Sequence, residues 1–214
     1  MLSQLREPFA RISRPIIVFF AKLGIHPTVF TITGLLLSIS AGIFIAANNF
    51  LAALILIFFG AAMDYIDGGV ARYRNLASKQ GLFLDSISDR ISDFALFGGM
   101  ILNDKVDIYT GIIMLASALL ISYIRAKGES VGIKKMAIGV MERAERLLFL
   151  VLLLTLSLLI PSFNEPFFGY GSFVYGCYFT IGYMILTALS VITVFQRIIY
   201  ASLKLNETET ASKA

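Results

Sequence analysis

The sequence predicts an all-α integral membrane protein, with six transmembrane helices preceded by an N-terminal amphipathic surface helix. Three observations predict it. The 214 residues are 57% hydrophobic and only 15% charged, with a mean hydropathy of +0.82; a soluble domain carries about 25% charged residues. Six apolar stretches follow one another with short links, each near the ~20 residues a spanning helix needs. Lys and Arg collect in alternate links, as the positive-inside rule requires of a multi-pass chain. The formal charge of +4 would suggest a nucleic-acid partner in a soluble protein. Here topology accounts for it, and no nucleic-acid partner is expected.

Residues 1–24 form the juxtamembrane segment. Leu5, Phe9, Ile12, Ile16 and Phe19 recur at helical spacing, with Arg6, Arg11, Arg14 and Lys22 between them. This pattern predicts a helix lying in the interface with its cations toward lipid headgroups. A signal peptide is excluded by the arginines and prolines that break the apolar run, and by the lack of a small-residue cleavage site. The spans fall at about 28–47, 50–70, 82–102, 107–126, 143–161 and 174–199, making 25–205 one six-helix domain of short links. The polar residues 206–214 read as a disordered tail. The single Cys177 excludes an intramolecular disulfide and a thiolate pair for zinc. His26, the lone histidine, sits in a Gly-Ile-His-Pro turn and reads as a local loop residue.

With the N-terminus inside, basic residues fall in the N-terminal segment, the 72–79 link, the 125–146 link and the C-terminal end. Of 18 Lys and Arg, only Lys105 faces outward. Both termini are thus expected on the cytoplasmic side of the cell membrane, in contact with membrane lipids.

Four aspartates interrupt this apolar pattern. Asp64 and Asp67 close the second span, and Asp85 and Asp89 open the third. An acidic residue at a helix centre costs about 2.5–3.5 kcal/mol on insertion scales, so such residues face a partner or a wet cavity. Asp64 and Asp67 share one helix face by their spacing, and Asp85, Asp89 and Asp93 share another. Close carboxylates repel, and a hard divalent cation relieves the repulsion. With oxygen donors alone, magnesium suits the site and manganese would also serve. Gly68 and Gly69 leave room for a phosphate to approach the backbone, and Arg72 offers a fork to phosphate oxygens.

The run Asp64-x-x-Asp67-Gly68-x-x-Ala71-Arg72, then eight residues, then Gly81-x-x-x-Asp85-x-x-x-Asp89 resembles the signature of the CDP-alcohol phosphatidyltransferase family without a mismatch. The entry to the first span resembles the family's Pro-Asn-x-x-Thr at Pro27 and Thr31, with Thr28 standing where the family often has Asn. The resemblance implies attack of an alcohol on a CDP-linked lipid, with release of CMP. It implies that Asp64, Asp67, Asp85 and Asp89 hold two metal ions, with Asp89 also the general base. It places Thr31, Gly68, Ala71, Arg72 and Gly81 around the CDP-lipid, and it implies a homodimer.

The second half of the chain bears on the acceptor. Ser122 to Glu129 and Met141 to Arg146 resemble the branch of the family that uses inositol phosphate. A phosphorylated polyol is a dianion and needs two or three cations. Arg125, Arg143 and Arg146 are the candidates, with Lys134 or Lys135 reaching from the loop. Topology alone would also put cations there. Arg90 could neutralise a neighbouring Asp; Asp93 could be a buried partner or touch acceptor hydroxyls. Within the class, the alternative is a phosphatidylglycerophosphate-type synthase taking glycerol phosphate. A cation channel or transporter is the alternative of another class, but the outer halves of the spans lack the ionisable residues a full pathway needs.

Overall fold

Short polar residues set where the helices start. His26 accepts from the backbone N–H of Thr28, with Pro27 next at the first helical position; Asn49 accepts from Ala52, Ser78 from Gly81 and Asp107 from Thr110. Each satisfies a backbone N–H that the helix itself leaves unpaired. At Asp107 these bonds, the Thr110 backbone N–H foremost, hold the carboxyl below its ordinary value. Asn48 and Asn75, with φ of 59° and 55°, turn the chain in the left-handed region that asparagine tolerates.

The computed structural model describes residues 6–103, 105–133, 136, 138–160, 168–170, 173–175 and 178–213. In order these form α1 (Arg6–Lys22), α2 (Pro27–Ala46), α3 (Phe50–Tyr73), α4 (Lys79–Ile101), α5 (Ile108–Ser130), α6 (Arg143–Leu159), β1 (Phe168–Tyr170), β2 (Phe173–Tyr175) and α7 (Tyr178–Lys213). By length and apolarity α2, α3, α5 and α7 up to Glu207 are able to cross a membrane. The chain is an all-α, multi-pass membrane protein. The other two expected spans differ for clear reasons: α4 carries Asp85, Asp89, Arg90 and Asp93, and α6 has 17 residues.

Two ends are distinguishable by their contacts. At one, Asn103 after α4 donates to Ile45 O (2.8 Å) and Asn48 Oδ1 (3.0 Å) after α2. There Thr180 of α7 donates to Lys105 O, and Phe50 of α3 stacks on Phe179 of α7 at 5.7 Å. At the other, the start of α2 meets the ends of α1 and α3 and the starts of α4 and α6. Arg74 donates there to Ile25 O at 3.0 Å. The main core runs between the ends through Ala41, Ile57, Phe97, Met114, Leu150 and Tyr183. Leu36, Phe58, Leu102 and Leu159 point outward, as a lipid solvent allows.

Small residues set the helix crossings. A Cβ added to Gly42 would strike the Ala95 backbone, and one on Gly99 would strike the Gly42 backbone. That closeness brings α2 against α4, as small residues do between membrane helices. α1 packs on α3: Ala21 is buried with Phe30, Ile66 and Val70, and Ile17 fills the space above Gly69.

Two expectations require correction. The last span begins at Tyr178 instead of 174, because Phe173–Tyr175 pairs antiparallel with Phe168–Tyr170 in the register Phe168↔Tyr175. The tail expected to be disordered continues α7 to Lys213. After Gly182 it meets neither Gly nor Pro, and Lys204 pairs with Glu207 one turn on at 2.7 Å.

Candidate active site

The site forms where the last turns of α3 meet the first turns of α4. Three- and four-residue spacing aims Asp64 and Asp67 from one helix and Asp85 and Asp89 from the other. Asp64, Asp67 and Asp85 each place a carboxylate oxygen within 4.8 Å of the others. Asp67 is buried and accepts a 2.5 Å hydrogen bond from the equally buried Thr31 of α2. Thr31, expected beside the CDP-lipid, orients this carboxylate. The donor set is all oxygen, with no sulfur or imidazole in it, and fits a hard divalent cation.

Beside this cluster lies a cavity of about 390 Å³. Thr31, Gly68, Ala71, Arg72 and Gly81 all line it, together with His26, Thr28, Asp64, Asp67 and Asp85. A Cβ on Gly68 would lie 3.3 Å from Arg72 Nη1, so the glycine keeps space for that guanidinium. Ser78, capping α4 through Gly81 N–H at 3.0 Å, fixes the turn opposite Arg72. The volume falls in the range of small-molecule sites.

On the other side Asp89 stands outside the three-carboxylate set. It is ion-paired with Arg143, the first residue of α6, at 2.5 Å. Arg143 also approaches Asp93 at 3.4 Å, and Asp93 is held at 2.8 Å by Arg146. Arg146 is 1% exposed and donates in addition to Met141 O at 3.2 Å. Asp93 is therefore a buried structural partner, which settles the choice left open by the sequence. Arg90 donates to Ser86 O, one turn back on its own helix.

The proposed acceptor cations do not all converge. Arg143 faces Asp89, whereas Arg146 is enclosed and its Nη2 is committed to Asp93. Arg125 is half exposed and pairs with Glu129 at 3.0 Å, separate from that network. Lys134 and Lys135 lie outside the described residues. One buried cation escaped the sequence reading. Arg197 of α7 is 2% exposed and donates to Ile138 O (2.8 Å) and Ile121 O (2.7 Å), with Glu142 3.5 Å away. Its signal was present: an arginine inside the apolar run Ile-Thr-Val-Phe-Gln-Arg-Ile-Ile.

The model of the CDP-alcohol phosphatidyltransferase family matches residues 24–195. The archaetidylinositol phosphate synthase of Methanothermobacter thermautotrophicus is 32% identical over 200 residues, 94% of this chain and 93% of that protein. Among solved structures, the Mycobacterium tuberculosis phosphatidylinositol phosphate synthase with CDP-DAG bound matches with a TM-score of 0.74 and 29% identity, over 90% of this chain and 94% of that one. The same enzyme in complex with manganese and citrate matches with a TM-score of 0.71 and 28% identity, over 87% of each chain. With the family model spanning most of the chain and the aspartate signature folded into one oxygen-lined site, this protein is a member of the CDP-alcohol phosphatidyltransferase family, a metal-dependent membrane transferase.

Proposed function

We propose that the protein transfers a phosphatidyl or archaetidyl group from a CDP-linked lipid to a hydroxyl of inositol phosphate, releasing CMP. The observation that carries this reading is the two-sided site. A nucleotide-sized cavity with Arg72 lies on one side of the carboxylate cluster, and Arg143 lies on the other beside Asp89. The named relatives, an archaetidylinositol phosphate synthase and a phosphatidylinositol phosphate synthase, support the choice of acceptor.

In this reading the acceptor oxygen bonds to the lipid-bearing phosphorus, and the P–O bond to CMP breaks. Asp64, Asp67 and Asp85 would hold the divalent cations, two magnesium ions with manganese as substitute, and Asp89 would complete the set. Bound there, the cations supply charge neutralisation at the pyrophosphate. Arg72 and the backbone at Gly68, Ala71 and Gly81 hold the diphosphate of the CDP-lipid. Asp89 takes the proton of the attacking hydroxyl, and Arg143 holds the acceptor's phosphate.

The same reading keeps six spans for α2 to α7, with α1 lying on the membrane surface. Residues 25–205 form the transferase domain. The site faces the cytoplasm, because the end carrying Arg72, Arg74, Lys79, Arg125 and Arg143 is the basic one. The working unit is a homodimer. The test is an acceptor panel: purified protein, CDP-lipid and Mg²⁺ with inositol, inositol phosphate, glycerol phosphate or serine, reading CMP release. Release with inositol phosphate alone is expected. Release with glycerol phosphate and not inositol phosphate would replace the acceptor assignment.

A further inference from the structure

The cavity beside the aspartates has a neighbour. A second cavity, of about 350 Å³, adjoins it across His26, Thr28, Ser78 and Gly81, which line both. Its remaining walls are Gln80, Phe83 and Leu84 of α4. The two cavities differ in charge. The first holds Asp64, Asp67, Asp85 and Arg72, the groups that a diphosphate and its cations require. The second has no Asp, Glu, Lys or Arg among the described residues that line it. It offers neutral hydrogen-bonding groups and an apolar wall, along which Phe83 is 68% exposed. Those are surroundings for a nucleobase, a flat ring with a polar edge.

His26 is the fixed part of the shared wall. Gly24, at φ 75°, turns the chain out of α1. Arg74 of α3 holds Ile25 O at 3.0 Å, and Pro27 restricts the backbone that follows. The ring is held as well. Its Nδ1 lies 3.3 Å from the backbone nitrogen of Thr28 and 3.0 Å from Thr28 Oγ1. A backbone N–H can only donate, so Nδ1 accepts and the ring proton sits on Nε2. Nε2–H is then a donor that cannot become an acceptor while that bond lasts. Thr28 stands where the family often has Asn. This chain therefore has no amide at that position, and the hydroxyl there meets the histidine instead.

A fixed donor distinguishes two pyrimidines. Cytosine N3 is an acceptor, whereas uracil carries a hydrogen there. Gln80 cannot make the distinction, because its amide turns over to present either end. We propose that His26 Nε2–H donates to N3 of the cytosine in the CDP-linked lipid, between the starts of α2 and α4, and so selects cytosine over uracil. This rests on the CDP-lipid reading above. With uracil two donors would face each other, and each would go unpaired once water is displaced. Gln80 and Phe83 add affinity for either base.

The test is nucleotide binding to the full chain in detergent or nanodiscs, with Mg²⁺ and no acceptor, read by isothermal titration calorimetry. CDP is expected to bind more tightly than UDP by about tenfold or more. The diphosphate of pyrimidin-2-one riboside keeps N3 as an acceptor but lacks the amino group. It too should bind more tightly than UDP. In His26→Asn the side chain still caps α2, since asparagine is among the preferred residues there, but it is too short to reach the base. CDP should weaken in this variant to near the affinity of UDP, and UDP should bind no more weakly than in the parent.

Equal affinity for CDP and UDP in the parent would overturn the proposal and leave the CDP-lipid reading standing. CDP that fails to bind would remove both. A preference kept in full by His26→Asn would put base recognition on another residue. An equal loss for both nucleotides would make His26 only a shaper of the turn. Either result overturns the proposal. Should His26→Asn not fold, the parent alone decides: a pyrimidin-2-one nucleotide that binds as weakly as UDP would mean that the amino group is recognised and N3 is not, against the proposal.

Discussion

Among single residues, burial separates side chains that the sequence treats alike. Arg143 and Arg146 are one turn apart, and both read as acceptor cations. The structure leaves Arg143 reachable beside Asp89 and encloses Arg146 against Asp93. Asp93→Ala is expected to strand the Arg146 charge, and removing one member of a buried pair typically costs about 3–5 kcal/mol. Thermal unfolding in detergent measures it; an unchanged midpoint would show that the pair is not structural. Arg143→Ala should raise the KM for the acceptor, by loss of a charge-assisted contact of about 1.5–3 kcal/mol, and leave that for the CDP-lipid nearly unchanged. Arg125→Ala, removing a half-exposed pair with Glu129, should change neither KM, since such pairs contribute about 0–1 kcal/mol. A raised acceptor KM in Arg125→Ala would return that residue to the site. The four aspartates were legible because acid in an apolar run demands a reason. Which arginine serves which partner was not, because helical spacing gives a face and not a depth.

The starts of the six long helices after α1 were legible to within a few residues, since apolar runs and caps agree on them. The misreadings came where local chemistry competed with hydropathy. Phe168-Gly-Tyr and Phe173-Val-Tyr, separated by Gly171-Ser172, carry a hairpin signal that the apolar count of the last span concealed. The polar tail read as disordered, yet it lacks a helix breaker and prolongs α7. Helix contacts make a sharp test at neighbouring positions. Gly99→Ala places a methyl group into the Gly42 backbone, whereas Gly98→Ala meets nothing within 4 Å. Overpacking costs about 1–3 kcal/mol, so Gly99→Ala should unfold at lower temperature and Gly98→Ala should not. Because α4 also carries Asp85 and Asp89, Gly99→Ala should lose transferase rate as well. Equal melting of the two variants would mean that α2 and α4 are not packed through this glycine.

For the whole molecule, polarity is divided between two ends. One end is tied by Asn48, Asn103 and Thr180 with neutral hydrogen bonds, and the other gathers Asp64, Asp67, Asp85, Asp89 and Asp93 with Arg72, Arg143 and Arg146. An acidic site within a basic end suits a reaction between two anionic substrates that needs cations to bring them together. That division was visible in the sequence as Lys and Arg collecting in alternate links, with only Lys105 in the others. The pairing of Asp89 with Arg143 was not, because it joins helices 50 or more residues apart. The central claim is transfer of a lipid phosphoryl group onto a phosphorylated polyol. Its most direct test supplies inositol phosphate labelled in its phosphate, with CDP-lipid and Mg²⁺, and counts label extracted into lipid against CMP released. One labelled phosphate is expected in lipid for each CMP, with both falling to background in excess EDTA. Label that stays in water while CMP is released, or transfer that survives EDTA, would contradict it.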